Sequence, residues 1–162
     1  MYGLTQLGVM HTAISLIAVI AGLIALLRAR QISLRNTLGK VYVVTTVLTC
    51  VTGFGIFQHG GFGKPHVLGI ITLIVLAVAY VAANTRWFGR ASRYVEVVSY
   101  SATFMFHMIP AITETTTRLP LGAPLLADAE APELKAATGV LVLLLIIGAT
   151  LQVRRLRAQG QP

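Results

Sequence analysis

The sequence predicts an all-α integral membrane bundle of five transmembrane helices, with the N-terminus outside and the C-terminus cytoplasmic. Three observations carry that expectation. The 162-residue chain is 56% hydrophobic and only 11% charged, against roughly 25% charged in an ordinary soluble domain. Its apolar residues are gathered into five runs that reach or approach the ~20 residues a helix needs to cross a bilayer. Its basic residues fall in short clusters between those runs, the placement that orients membrane helices. The net charge of +8 is therefore read as membrane orientation, and no nucleic-acid partner is expected.

Each run is justified in turn. The first, Leu4–Leu27, is long enough to span and has no basic segment before it, so it reads as a span and not as a cleavable signal peptide. The second is Lys40–Phe57. The third is Pro65–Ala83, with proline well placed at a helix start. The fourth, Tyr94–Thr116, is the most polar, and the fifth, Leu134–Val153, is the cleanest. Backbone groups in lipid must be satisfied within the segment, which makes these spans helices. The connections are short except for "TRLPLGAPLLADAEAPE" (117–133), an exposed loop by its prolines and acids. A single membrane domain over 1–162 is expected, with neither internal repeat nor low-complexity segment.

Orientation follows from Lys and Arg. Arg28, Arg30, Arg35 and Lys40 flank the first connection; Arg86, Arg90 and Arg93 fill the third; Arg154, Arg155 and Arg157 form the tail. With five spans these ten of the thirteen basic residues share one side, leaving Lys64, Arg118 and Lys135 on the other. The positive-inside rule makes the richer side cytoplasmic. A bacterial inner (plasma) membrane is the expected location, with the lipid bilayer as first partner and a membrane-protein partner or a homo-oligomer beyond it. Tyr2, Phe57, Phe62, Trp87 and Tyr94 fall near the expected interfaces, as an aromatic belt would.

Several chemistries are disfavoured. The lone Cys50 supports neither an intramolecular disulfide nor a CxxC pair. The sole aspartate, Asp128, lies in the long loop, so no Ser-His-Asp arrangement is supportable. "GFGIFQHGGFG" follows no strand and lacks GK[ST], so it reads as an outer turn, not a phosphate loop. Thr45, Thr49 and Thr52 share a face of the second helix, where threonines commonly join helices.

The stretch "FMFHMIPAITE" (104–114) is different, because ionisable groups inside a membrane are costly and are functional candidates by default. His107, Ala111, Glu114 and Arg118 follow i, i+4, i+7, i+11 and share a helical face. Pro110 removes one backbone bond between them. The expected topology places all four histidines, His11, His59, His66 and His107, toward the outer face. Three specific readings compete with a purely structural one, in which Glu114 pairs with Arg118 and His107 bonds a carbonyl or threonine.

The first reading is haem b, with electron transfer as its function. His11, His66 and His107 are the cofactor-binding candidates, and His11 and His107 have matching depths. Gly8, Gly53, Gly55 and Gly69 would make room, and Arg118 or Lys64 would meet propionates. The second is a transition-metal site drawn from His11, His66, His107 and Glu114, types that suit Zn, Cu or Fe, though no HExxH or HxxxH spacing is present. The third is a proton or solute path in a transporter subunit that oligomerises. A non-catalytic accessory subunit of a larger complex is the remaining class.

"LRNTLGKVYVVTTVLTCVTGFGI" (34–56) resembles a stretch in an uncharacterised, domain-of-unknown-function family of predicted bacterial multi-spanning membrane proteins. That stretch reads roughly His-x-x-Leu-Gly-Arg-x-Tyr entering a helix. Leu38, Gly39, Lys40 and Tyr42 match it, while Arg35 stands where the family has histidine. "RYVEVVSYSATF" (93–104) is similar to a second family stretch, again without its histidine. The resemblance covers about a third of the chain. It implies a helical membrane fold and no assigned activity.

Overall fold

The computed structural model describes residues 5–57 and 61–160. The first four residues, with Tyr2, and the turn that contains His59 lie outside them. The described chain is all-α: α1 Gln6–Ala29, α2 Thr37–Gly53, α3 Lys64–Asn84, α4 Ser92–Arg118 and α5 Pro132–Ala158, with a short 3-10 turn Gly89–Ala91 before α4.

Capping explains where several helices depart from the apolar runs. Thr5 Oγ1 accepts from the Gly8 amide at 3.1 Å and starts α1. Arg30 ends it in the left-handed region at φ 58. α2 begins three residues before its apolar run because Asn36 Oδ1 accepts from the Gly39 amide at 2.8 Å, satisfying an end amide. It stops at Gly53, short of the expected Phe57. There the backbone tightens into three-residue turns, Gly55 N to Thr52 O and Ile56 N to Gly53 O. α5 runs on through the basic tail, since a helix need not stop where hydrophobicity does.

Four helices, α1, α3, α4 and α5, are long and apolar enough to cross a membrane. α2, with 17 residues, extends only about 25 Å at 1.5 Å per residue. That is a little short of the ~30 Å hydrocarbon thickness.

Helices α1 to α4 form a ring. α1 packs on α2, α2 on α3, α3 on α4, and α4 closes on α1. This leaves α2 and α4 diagonally opposed. Small residues let α1 come close: Ala18, Ala21 and Ala25 are buried with Ile32, Leu76 and Ala79. A Cβ on Gly22 would meet the rings of Phe104 and Tyr42 at 2.7 and 2.8 Å, so the glycine is what admits those aromatics.

The fifth helix is not an equal member of the bundle. α5 packs on α4 from outside the ring, and only Leu134 and Leu156, near its two ends, are buried. Polar contacts fix its last turns. Ser101 Oγ donates to Gln152 Oε1 at 3.0 Å, Gln152 Nε2 donates to Arg30 O at 2.9 Å, and Arg155 donates to Ala29 O at 3.2 Å. The end of α1, the start of α4 and the end of α5 thus meet at one basic end. At another face Lys64 pairs with Glu130 at 2.6 Å, joining the start of α3 to the long loop.

Candidate functional site: a polar seam across the bundle

The most polar helix, α4, turns its polar stripe inward. Glu96, Tyr100, Thr103 and His107 are all buried and follow i, i+4, i+7, i+11, one continuous helical face. The buried side of α2 presents Tyr42, Thr46 and Thr49 at i, i+4, i+7. Because α2 and α4 are diagonal, these side chains meet in the centre of the ring. Tyr42 Oη and Thr103 Oγ1 are 2.8 Å apart, and His107 Nε2 lies 3.0 Å from Thr46 Oγ1. The Tyr42 ring also meets His107 edge-on, with centroids 6.0 Å apart. Thr103 in turn donates to Tyr100 O at 2.8 Å.

One end of the seam is an ion-pair clamp. The Glu96 carboxylate, 1% exposed, takes Arg93 Nη1 at 2.6 Å and the Ser33 hydroxyl at 3.3 Å. Arg35 approaches it to 3.8 Å. Arg93 Nη2 donates to Gln31 Oε1 at 3.1 Å. The clamp therefore ties the α1–α2 connection to α4. Ser33 is held there by backbone proximity, for a Cβ on Gly39 would run into the Ser33 carbonyl. This is the physical reason for glycine in "LGK".

The other end carries the histidines. His11 Nδ1 lies 3.1 Å from Thr52 Oγ1. Gly53 admits its ring: a Cβ there would stand 3.1 Å from His11 Cε1. His11 and His107 both rest on α2, at Thr52 and Thr46, and Glu114 lies two turns beyond His107 on α4. Glu114 itself is exposed and pairs with Arg118 at 2.5 Å. α4 passes through Pro110 without ending.

His11, His107 and Glu114 are thus gathered at one end, while His66 has a different setting. Its ring is stacked between Phe57 and Phe62, with centroids 5.1 and 5.2 Å away, and its Nδ1 accepts from the Gly63 amide at 3.2 Å. His66 Nε2 is buried with no hydrogen-bond partner among the described residues. Among those residues no group of three or more His, Cys, Asp or Glu is placed to hold a metal ion. Three of the four glycines expected to leave room for a haem have protein groups against them. Gly53 receives His11, Gly55 faces Leu7, and Gly69 faces the Phe54 ring. Lys64 and Arg118, the expected propionate partners, are engaged by Glu130 and Glu114.

The threonine face of α2 divides in a way its spacing hides. Thr45 and Thr52 bond back to Val41 O and Leu48 O, one turn earlier. Thr46 reaches across to His107. Glu96, Tyr42, Thr46, Tyr100 and Thr103 were not among the sequence-derived site residues. The signal was present: the i, i+4, i+7 stripe read from His107 outward also runs inward through Thr103 and Tyr100 to Glu96.

The fold and seam define an all-α chain with several membrane-length helices and a buried hydroxyl and imidazole array. Comparison with family models, curated proteins and solved structures finds no match to this chain.

Proposed function

We propose that the chain is a multi-pass membrane protein of the bacterial inner membrane, with its basic end cytoplasmic, whose α2–α4 seam relays protons as a subunit of a proton-coupled transporter. One observation carries the reading. Two side-chain hydrogen bonds, His107–Thr46 and Tyr42–Thr103, cross the ring between diagonal helices, and ionisable groups stand at both ends. Hydroxyls both donate and accept, and a neutral imidazole does so through its two nitrogens. A proton accepted at one nitrogen of His107 can therefore be matched by release from the other. Thr46, Tyr42 and Thr103 supply exchangeable protons along the way. Tyr100, whose hydroxyl is buried without a partner among the described residues, lies one turn from Glu96.

Polar groups at this depth are otherwise expensive. Threonine pairs alone would hold two helices together. They do not call for an imidazole, two tyrosines and a buried carboxylate in the same seam.

The test is proton flux into proteoliposomes under an imposed potential. Wild type should dissipate the gradient. His107→Phe should slow it about tenfold or more, since losing one relay group adds ~1.4 kcal/mol or more to the barrier. Equal flux in protein-free vesicles would reject the reading.

A haem or metal role keeps one specific observation: His11 and His107 come from different helices and both rest on threonines of α2. Ligation there would require each ring to leave its threonine or bind through its second nitrogen. The purified protein should then show a Soret band or stoichiometric metal, abolished in His107→Ala. An accessory subunit would show neither flux nor cofactor and would co-purify with its complex.

A further inference from the structure

The basic end contains a feature the seam does not use. A cavity of about 440 Å³, open to the surface, lies where the ends of α3 and α5 meet the α1–α2 connection and the start of α4. Arg35, Arg86 and Arg93 line it, with Thr85 and Ser92. The lining contains one carboxylate, Glu96, so three guanidiniums face a single negative charge. That carboxylate is already engaged by Arg93 and Arg35. Arg86 makes no ion pair among the described residues and is exposed.

Two further observations point to an anion. Ser92 Oγ and Arg93 Nε are buried and lack a hydrogen-bond partner among the described residues. Both belong to side chains that line the cavity. They also sit in the first turn of the 27-residue α4, whose N-cap, Ala91, offers no side-chain cap. The Ser92 amide is already taken by Gly89 O, and the helix dipole favours negative charge at that position.

We propose that this cavity binds a phosphate group, held between Arg86 and Arg35 at its mouth and the first turn of α4 at its floor. Guanidinium groups match phosphate oxygens in a planar, forked geometry. The source is an anionic lipid headgroup or a soluble phosphate. Trp87 and Phe88 adjoin Arg86 on the same connection, and Trp87 is 82% exposed. Aromatics of that kind sit at headgroup level, which favours the lipid.

The experiment uses the full chain, wild type and Arg86→Gln, with Arg154→Gln as a basic-end control outside the cavity lining. Thermal unfolding is followed in nanodiscs of phosphatidylcholine, in nanodiscs containing added phosphatidylglycerol, and in detergent titrated with sodium phosphate. A saturable rise in the midpoint is expected in wild type. Arg86→Gln should weaken the apparent affinity about tenfold or more, as for loss of a charge-assisted contact. Arg154→Gln should leave it near the wild-type value. A response to phosphatidylglycerol alone assigns a lipid site; a response to sodium phosphate assigns a soluble one. Two results would overturn the proposal: no saturable response in any medium, or equal weakening by Arg154→Gln, which would indicate diffuse attraction. Arg86 has no ion pair in the fold to lose, so the variant should keep the wild-type midpoint without added anion.

Discussion

The two ends of the polar seam solve the same problem differently. At the basic end, Glu96 is buried among Arg93 of its own helix and Ser33 and Arg35 of the α1–α2 connection, so two of these contacts join separate elements. At the opposite end, His107 and His11 each rest on one α2 hydroxyl, and Glu114 is exposed and pairs only along its own helix. A buried carboxylate needs many partners, because an uncompensated charge in low dielectric costs several kcal/mol. An imidazole can stay neutral there with one. The clamp therefore fixes geometry, and the histidine end leaves ring nitrogens available for proton exchange. The contrast makes unequal demands on substitution.

The largest effect should come from the clamp. Glu96→Ala strands Arg93 and should destabilise the protein by about 3–5 kcal/mol, measured by denaturant unfolding in detergent. A loss below 1 kcal/mol would mean that the clamp is not fixing the fold. At the centre, Thr46→Val leaves His107 Nε2 unpartnered and should cost about 1–3 kcal/mol. Thr45→Val, which removes only a bond to its own helix, should cost far less in the same assay. If the two substitutions matched, the cross-bundle bond would carry no special weight. Glu114→Ala removes an exposed i, i+4 pair and should cost about 0–1 kcal/mol.

The smallest effect belongs to Glu130. Lys64 holds its carboxyl below the usual range by a hydrogen bond and by charge. A depressed carboxyl stabilises the fold at pH above its ordinary value of 4.5 and ceases to as pH falls below it. Glu130→Gln should thus lower the thermal midpoint slightly at pH 7 and leave it unchanged at the acidic limit. Salt should shrink the difference, since the pair is exposed.

Much of the fold was legible because it rests on local, repetitive signals. Five apolar runs correspond to five helices, and Pro65 opens α3 as its fixed φ suggests. Helix ends were less legible. Asn36, four residues ahead of the apolar run, starts α2 through a single side-chain bond that hydropathy does not register. The peripheral place of α5 was hidden because lipid-facing and core-facing helices are equally apolar.

The histidine end was read from His107 and Glu114, whose charges stand out against an apolar run; His11 and His107 each rest on a threonine of α2. His66 could not be separated from them by sequence, since its setting depends on Phe57 and Phe62 stacking across a turn. Glu96 was overlooked because it lies near the start of α4, where a charge is ordinarily solvated. Its burial follows from the α1–α2 connection folding over it through Ser33 and Arg35.

Tyr42→Phe tests the proton-relay account most directly, because it removes one hydroxyl from the middle of the seam and keeps the ring that fills the core. The account expects wild-type helicity and a flux in proteoliposomes reduced about tenfold or more. Undiminished flux in a folded Tyr42→Phe protein would contradict it.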